Sequence, residues 1–156
     1  MRLIVGESEG YARRDLAGIA INSLGQIDDA TSAEVLCEVV SHKHEYGWLV
    51  DAAAKALTEM DSPVAIKAQL TLAKNNIYGE RAVKALTQLL ERHVVSVPTD
   101  TLSLVAKVTE IRQAKWDDSE PEDVGWSSVS HVVDTAGLIG LAKRELEQRA
   151  AQAKAL

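Results

Sequence analysis

Residues 20–27 (AINSLGQI), 53–60 (AAKALTEM) and 82–89 (AVKALTQL) share the pattern Ala-x3-Leu-x2-apolar, and their leucines, Leu24, Leu57 and Leu86, are nearly evenly spaced along the chain. This period predicts a repeat of helical hairpins, because each pair of helices buries its apolar face against the next pair. The alanine lets neighbouring helices approach, while the leucine and the last apolar residue fill the space between them. Any amphipathic helix produces a similar pattern, so chance recurrence is the alternative.

The first predicted helix extends from about Ser8 to Ile27, and its apolar residues recur at steps of three and four. They are Leu16, Ile19, Ala20, Leu24 and Ile27. This spacing places all five on one face of the helix. Such a face is usually the one that a helix turns towards the protein core.

Six further segments have helical periodicity. A capping box over Thr31–Glu34 predicts the start of the second helix, and Ser62-Pro63 predicts the start of the fourth. The sixth helix is predicted to extend to Ile111, and a long seventh to begin at Ser128. The expected fold is therefore all-α: an α-solenoid-like stack of helical hairpins, about seven helices in one domain of residues 1–156, with a long C-terminal helix.

The composition favours the same fold class. Hydrophobic residues make up 46% of the 156-residue chain and charged residues 26%, the usual balance of a globular protein. Aromatic residues are only 4% and phenylalanine is absent, which disfavours a β-sandwich. The single cysteine, Cys37, excludes a disulfide scaffold within the chain and fits a reducing compartment.

The charge of the chain argues against some partners. Its net charge is −6 and its pI is about 5.2, so it lacks the positive field that nucleic-acid binding uses. The longest weakly charged apolar stretch, 129–142, is interrupted by His131 and Asp134 and is too short to cross a bilayer. We therefore expect a cytoplasmic protein that binds neither nucleic acid nor membrane.

Three short motifs resemble a known repeat. They are Arg14-Asp15-Leu16, the run from Leu24 to Asp29, and Ser32-x3-Leu36. Together they resemble the short HEAT-like repeats of bacterial proteins, the type also found in phycobilin lyases, over residues 11–93. The resemblance implies stacked helical hairpins. It leaves function open, because such stacks serve as scaffolds, lyase subunits, hydroxylases and DNA glycosylases.

The usual chemical motifs are weak in this sequence. His42, His44 and Glu45 lack further ligands at metal-binding spacing, so a solvated turn is the expected interpretation. Cys37 has no neighbouring base and is expected to be a small core or flank residue. Gly137 and Gly140 are expected to let another helix pack closely. We therefore predict no catalytic residues, metal or cofactor.

An acidic loop at about residues 115–127 is unlike the rest of the chain. Between Lys115 and Trp126 it carries five acidic residues against one lysine, which is −4 of the net charge, and two of the three tryptophans. The loop is predicted to bind a basic protein partner, with aromatic anchors inside an acidic rim. The predicted partner-binding residues are Trp116, Asp117, Asp118, Glu120, Glu122, Asp123 and Trp126. A solvated linker whose tryptophans dock onto the core is the alternative.

Two classes of function remain open at this point. The first is a small helical interaction protein, such as an adaptor or an inhibitor; the immunity proteins of bacteria are also often small and acidic. The second is an enzyme, such as a lyase subunit, with a pocket between the repeats. A stoichiometric protein partner would favour the first class, and a bound pigment or metal would favour the second.

Overall fold

A computed structural model describes residues 2–42, 47–75, 77–115 and 129–156 of the chain. This part of the chain contains seven α-helices and one small antiparallel sheet, which confirms the all-α fold class. The residues divide into two compact units, 1–68 and 69–156, and each is described by itself. Cooperative folding of the whole chain as one domain stays a prediction.

The first unit consists of three helices and the beginning of a fourth. The helices are α1 (Arg2–Ile27), α2 (Ala30–Ser41), α3 (Gly47–Glu59) and, after a 3-10 turn at Pro63–Ala65, α4 (Ile66–Ala73), within which the unit boundary falls. α1 packs against α2 and α3, and α2 packs against α3. Small and branched apolar side chains form the core: Ile21, Ala33, Leu36, Val40, Ala53, Ala54, Leu57, Met60 and Ile66.

The turn between α1 and α2 is built by two aspartates. Asp28 has a φ of 53°, and Asp29 is the N-cap of α2. The Ser32 backbone N–H donates to Asp29 Oδ1 over 2.7 Å, and this bond, with that from the Ser32 hydroxyl, lowers the pKa of Asp29 below its ordinary value of 3.8. The predicted capping box at Thr31 was therefore wrong in its position, because an aspartate slightly earlier in the chain caps the helix.

α1 exposes much of the face that its sequence pattern assigned to the core. The exposed fractions of Leu16, Ile19 and Ile27 are 66%, 61% and 59%, whereas Ile21 is buried. The opposite side of the helix faces the unit, where a Cβ on Gly25 would lie 3.1 Å from Ala56 Cβ. The predicted core face was therefore wrong for α1. Apolar residues occur on both sides of this helix, and the side that carries Gly25 is the one that packs against α3.

The second unit combines three further helices with a hairpin. After the end of α4, its elements are α5 (Gly79–His93), a 3-10 turn (Val94–Ser96), α6 (Thr99–Ala106), β1 (Ile111–Lys115), β2 (Val129–Val133) and α7 (Ala136–Ala155). α7 packs against α5 and α6, and α5 packs against both strands. The core is formed mainly by leucine and valine: Leu72, Val83, Leu86, Leu89, Leu90, Val97, Leu102, Val105, Val133 and Leu138.

The strands correct two predicted helix boundaries. α6 ends at Ala106 and Ile111 begins β1, while Val132 and Val133 belong to β2 rather than to the C-terminal helix, which begins at Ala136. Each strand is only 5 residues long, so neither shows enough periods to distinguish a strand from part of a helix. Each strand is instead held in its extended conformation by backbone hydrogen bonds to the other, from which it is separated in sequence by residues 116–128.

Arg149 of α7 fixes the chain segment that precedes α6. Its guanidinium donates to the carbonyl oxygens of Val94, Val95 and Val97 over 2.8–3.1 Å, and to Thr99 Oγ1 over 3.0 Å. It also forms an ion pair with Glu145, one turn earlier, at 2.8 Å. These bonds satisfy backbone carbonyls that lie outside regular helix, which a planar group with several N–H donors does well.

The two glycines of α7 have no close neighbours among the described residues. Within that part of the chain, a Cβ on Gly137 or on Gly140 would meet no other atom within 4 Å. The prediction that these glycines admit a closely packed helix was wrong: both lie at positions of α7 where a side chain has open space. No α-helix in the described part of the chain is long and apolar enough to cross a lipid bilayer.

Candidate partner-binding surface

The seven predicted partner-binding residues lie outside the described residues. They are Trp116, Asp117, Asp118, Glu120, Glu122, Asp123 and Trp126. The structure does describe the two strands that flank them. Lys115, the last residue of β1, is paired with Val129, the first residue of β2, so the segment 116–128 leaves and re-enters the fold at neighbouring positions.

The other end of the hairpin is anchored in the core of the second unit. Ile111 and Val133 face each other in the ladder, and both are buried. α5 contacts both strands. A two-stranded hairpin alone is marginally stable in water, so packing on α5 is what holds these strands in place.

Gly79 allows β1 to approach the beginning of α5. A Cβ at this position would lie 3.0 Å from the Ala73 carbonyl oxygen, 3.1 Å from Ile111 Cγ2 and 3.3 Å from the Arg112 carbonyl oxygen. Two of these three atoms are backbone and cannot rotate away. The close contact between helix and hairpin therefore depends on glycine at this position.

Gln113 of β1 connects the hairpin to the N-terminus of α5. Its Nε2 donates to the Ile77 carbonyl oxygen over 2.6 Å, and its Oε1 accepts from the Glu80 backbone N–H over 3.1 Å. The N-cap residue of α5, Tyr78, makes no side-chain capping bond. Gln113 thus caps α5 from a different element, and because the two partners lie far apart in the sequence, no local sequence signal reveals it.

Exposed polar pairs surround this anchor. Arg112 forms an ion pair with Glu110, and its Nη1 lies 3.4 Å from Ser130 Oγ. His131 Nε2 of β2 lies 3.5 Å from Glu80 Oε2 of α5. Pairs this exposed add little to stability.

The first unit carries a separate open groove of about 700 Å³. Its lining comes from α1 and from Trp48 of α3: Arg14, Asp15, Gly18, Ile19, Asn22 and Trp48. The Arg14 guanidinium lies 5.3 Å from the centre of the Trp48 ring, within the range of a cation–π contact. Among these lining residues there is no histidine or cysteine to act as a base or nucleophile, and Trp48 is the tryptophan to which the sequence pattern assigned no role.

The remaining sequence candidates have ordinary surroundings. Cys37 is half-buried on α2, with Sγ 3.9 Å from the Ala68 carbonyl oxygen. His42 Nδ1 lies 2.7 Å from the Glu38 carbonyl oxygen at the end of α2, while His44 and Glu45 lie outside the described residues. Over the described ranges, no three histidine, cysteine or acidic side chains come together as a metal site would require.

The chain matches no family model, no curated protein and no solved structure.

Proposed function

We propose that this protein is a small helical protein–protein interaction module, and that its acidic segment, residues 115–127, meets a basic partner. The proposal rests on two features that occur together: the composition of this segment, and the anchored hairpin that holds its two ends. A strongly acidic, tryptophan-containing stretch connects two paired strands that are anchored on α5. Binding residues are often carried by loops on a rigid scaffold.

Charge supports the basic partner. The five acidic residues of the segment have no basic residue among them from 116 to 128, and they account for most of the net charge of the chain. A patch of one sign accelerates association with a partner of the opposite sign and depends on salt concentration. Trp116 and Trp126 flank the acidic residues and supply the large side chains that commonly anchor an interface.

The paired strands at the two ends of the segment also favour binding. Because Lys115 and Val129 are already paired, the entropy of closing the loop is lost on folding and not on binding. Gln113 and Gly79 fix the hairpin against α5. A partner would therefore meet a segment whose two ends are held in place, which lowers the cost of association.

Among interaction modules, the role of an adaptor or of an inhibitor of a basic protein fits best. The resemblance of residues 11–93 to short HEAT-like repeats suits either role, and an acidic chain without a disulfide scaffold suits the cytoplasm. The alternative is an enzyme or lyase subunit whose pocket lies in the groove beside Trp48. A pigment or metal that co-purifies in stoichiometric amount would favour that alternative.

The test compares two variants with the same net charge. In the first, Asp117, Asp118, Glu122 and Asp123 become lysine; in the second, four exposed acids elsewhere do so, namely Glu34, Glu38, Glu91 and Glu147. A protein partner is first isolated by co-purification with the wild type, and its association with each variant is then followed by stopped flow at several salt concentrations. We expect the first variant to associate at least about tenfold more slowly and with less dependence on salt, and the second to change much less.

Trp126→Ala distinguishes an anchor from a structural residue. If the ring anchors the partner, the variant should dissociate faster, by about 2 kcal/mol of binding free energy or more, while the melting temperature stays unchanged. If the melting temperature falls and binding stays the same, the tryptophan docks on its own fold. Equal slowing of association in both charge variants would likewise contradict the proposed binding segment.

A further inference from the structure

We propose that α1 is a homodimer interface, in which the stripe of α1 (Leu16, Ile19, Ala20, Ser23 and Ile27) packs antiparallel against the same stripe of a second copy. The proposal is independent of the acidic segment, because it concerns the first unit only. It starts from the burial of α1. All five stripe residues are exposed, although their spacing of three and four places them along one side of the helix.

The repeat pattern shows that the stripe has the composition of a packing surface. In the copy at 53–60 the three motif residues Ala53, Leu57 and Met60 are all buried, and in the copy at 82–89 so are Ala82, Leu86 and Leu89. In the copy at 20–27, on α1, Ala20 and Ile27 are exposed and Leu24 is half-buried. Two of the three motif positions, which are buried in both other copies, are therefore exposed on α1, and both belong to the stripe.

The electrostatics of the stripe favour a second copy over a charged partner. Residues 16–27 contain no charged residue and no histidine. Exposed helix faces normally carry charges, and a charged partner would find no opposite charge within the stripe itself. Contact must therefore come from apolar burial between surfaces of matching shape.

The shape of this region meets the requirement of a two-fold interface, in which one surface must complement itself. The ridge formed by the stripe lies beside the groove of about 700 Å³, and Ile19 belongs to both. Gly18 lines the groove and leaves room for a side chain from outside. When two copies meet, the ridge of each can enter the groove of the other.

The distribution of charge at the end of the stripe selects the antiparallel orientation. Arg13, Arg14 and Asp15 all lie just before Leu16. A parallel pair would bring each of these charges close to its own copy, which is unfavourable. An antiparallel pair instead places Arg13 and Arg14 near Asp28 and Asp29 of the other copy, which directly follow the stripe and carry the opposite charge. Ala20 then lies near the two-fold axis.

The size of the surface predicts a weak dimer. The stripe extends from Leu16 to Ile27, so it is roughly 17 Å long at the helical rise. Even with the groove, this is at the low end of stable interfaces, which bury about 800 Å² on each partner. We expect a dissociation constant in the micromolar range or weaker, and thus an equilibrium that depends on concentration.

Sedimentation equilibrium of the full chain tests the proposal, over protein concentrations from about 1 µM to about 1 mM. The wild type should be a monomer–dimer mixture. Ile19→Asp should raise the dissociation constant at least about tenfold while its circular dichroism spectrum stays the same, because Ile19 is exposed in the monomer. The matched control is Val95→Asp, which also places a charge at an exposed apolar position, in the second unit, and should leave the dimer unchanged.

Disulfide trapping tests the orientation. Ala20→Cys should link two copies under mild oxidation, whereas Gln26→Cys should not, because in an antiparallel pair the two residues 26 are far apart along the helix axis. The wild type, with Cys37 alone, measures the background. A wild type that stays monomeric up to about 1 mM, an Ile19→Asp dimer as strong as the wild type, or equal trapping of both cysteine variants would each overturn the proposal.

Discussion

Replacing Gln113 with methionine should loosen the hairpin that carries the acidic segment. Methionine has nearly the same length and fills the same space, but it can neither donate to the Ile77 carbonyl nor accept from the Glu80 N–H. Each of these hydrogen bonds contributes about 0.5–1.5 kcal/mol net, and both groups are accessible enough for water to replace part of the loss. The expected cost is therefore about 1–2 kcal/mol in the free energy of unfolding.

Equilibrium unfolding in urea, followed by circular dichroism, measures this cost. The midpoint should fall with an unchanged m-value, and the melting temperature should fall by about 2–8 °C if the 156 residues unfold together. Gln88→Ala is the matched control, since Gln88 is an exposed glutamine on α5, and its effect should stay within about 0.5 kcal/mol. If Gln113→Met also stays within that range, Gln113 does not anchor the hairpin and the reasoning is refuted.

Two further predictions concern Arg149 and Asp29. Arg149→Ala should lower the free energy of unfolding, measured in urea, by about 2–4 kcal/mol, because several backbone carbonyls lose a charged donor. Arg149→Lys should recover little of this stability, since one ammonium group cannot form the same set of hydrogen bonds as a guanidinium. Full recovery by lysine would contradict this account. Asp29→Ala should lower the melting temperature at neutral pH. Because folding lowers the pKa of Asp29, its contribution is complete above the unfolded pKa of 3.8 and is lost as the pH falls through the folded value. Melting curves from neutral to strongly acidic pH should therefore show the difference between variant and wild type shrinking in acid, and a difference independent of pH would contradict the capping role.

Most of the helices were predictable, from apolar periodicity where they are long and from local start signals where they are short. The Ser62-Pro63 start signal, for example, is followed by the 3-10 turn at Pro63–Ala65. Local signals of this kind depend on neighbours in the chain. They are present in the sequence whatever the tertiary structure.

The hairpin and the packing side of α1 could not be predicted, because both depend on distant partners. β1 and β2 stabilise each other across the intervening segment 116–128, and the cap that Gln113 provides for α5 comes from a part of the chain well beyond the helix itself. On α1, apolar residues occur on both sides, and the choice between them is made by the fit of Gly25 against Ala56. Periodicity alone does not reveal which of two apolar faces finds a partner.

The proposal that the acidic segment binds a basic partner is tested most directly by hydrogen–deuterium exchange of the chain, alone and with a protein partner isolated by co-purification. If the segment is the binding site, protection on binding should be concentrated between residues 111 and 133, in the segment and the two strands that support it. Protection confined to the groove beside Trp48, with residues 116–128 exchanging at the same rate in both samples, would contradict it.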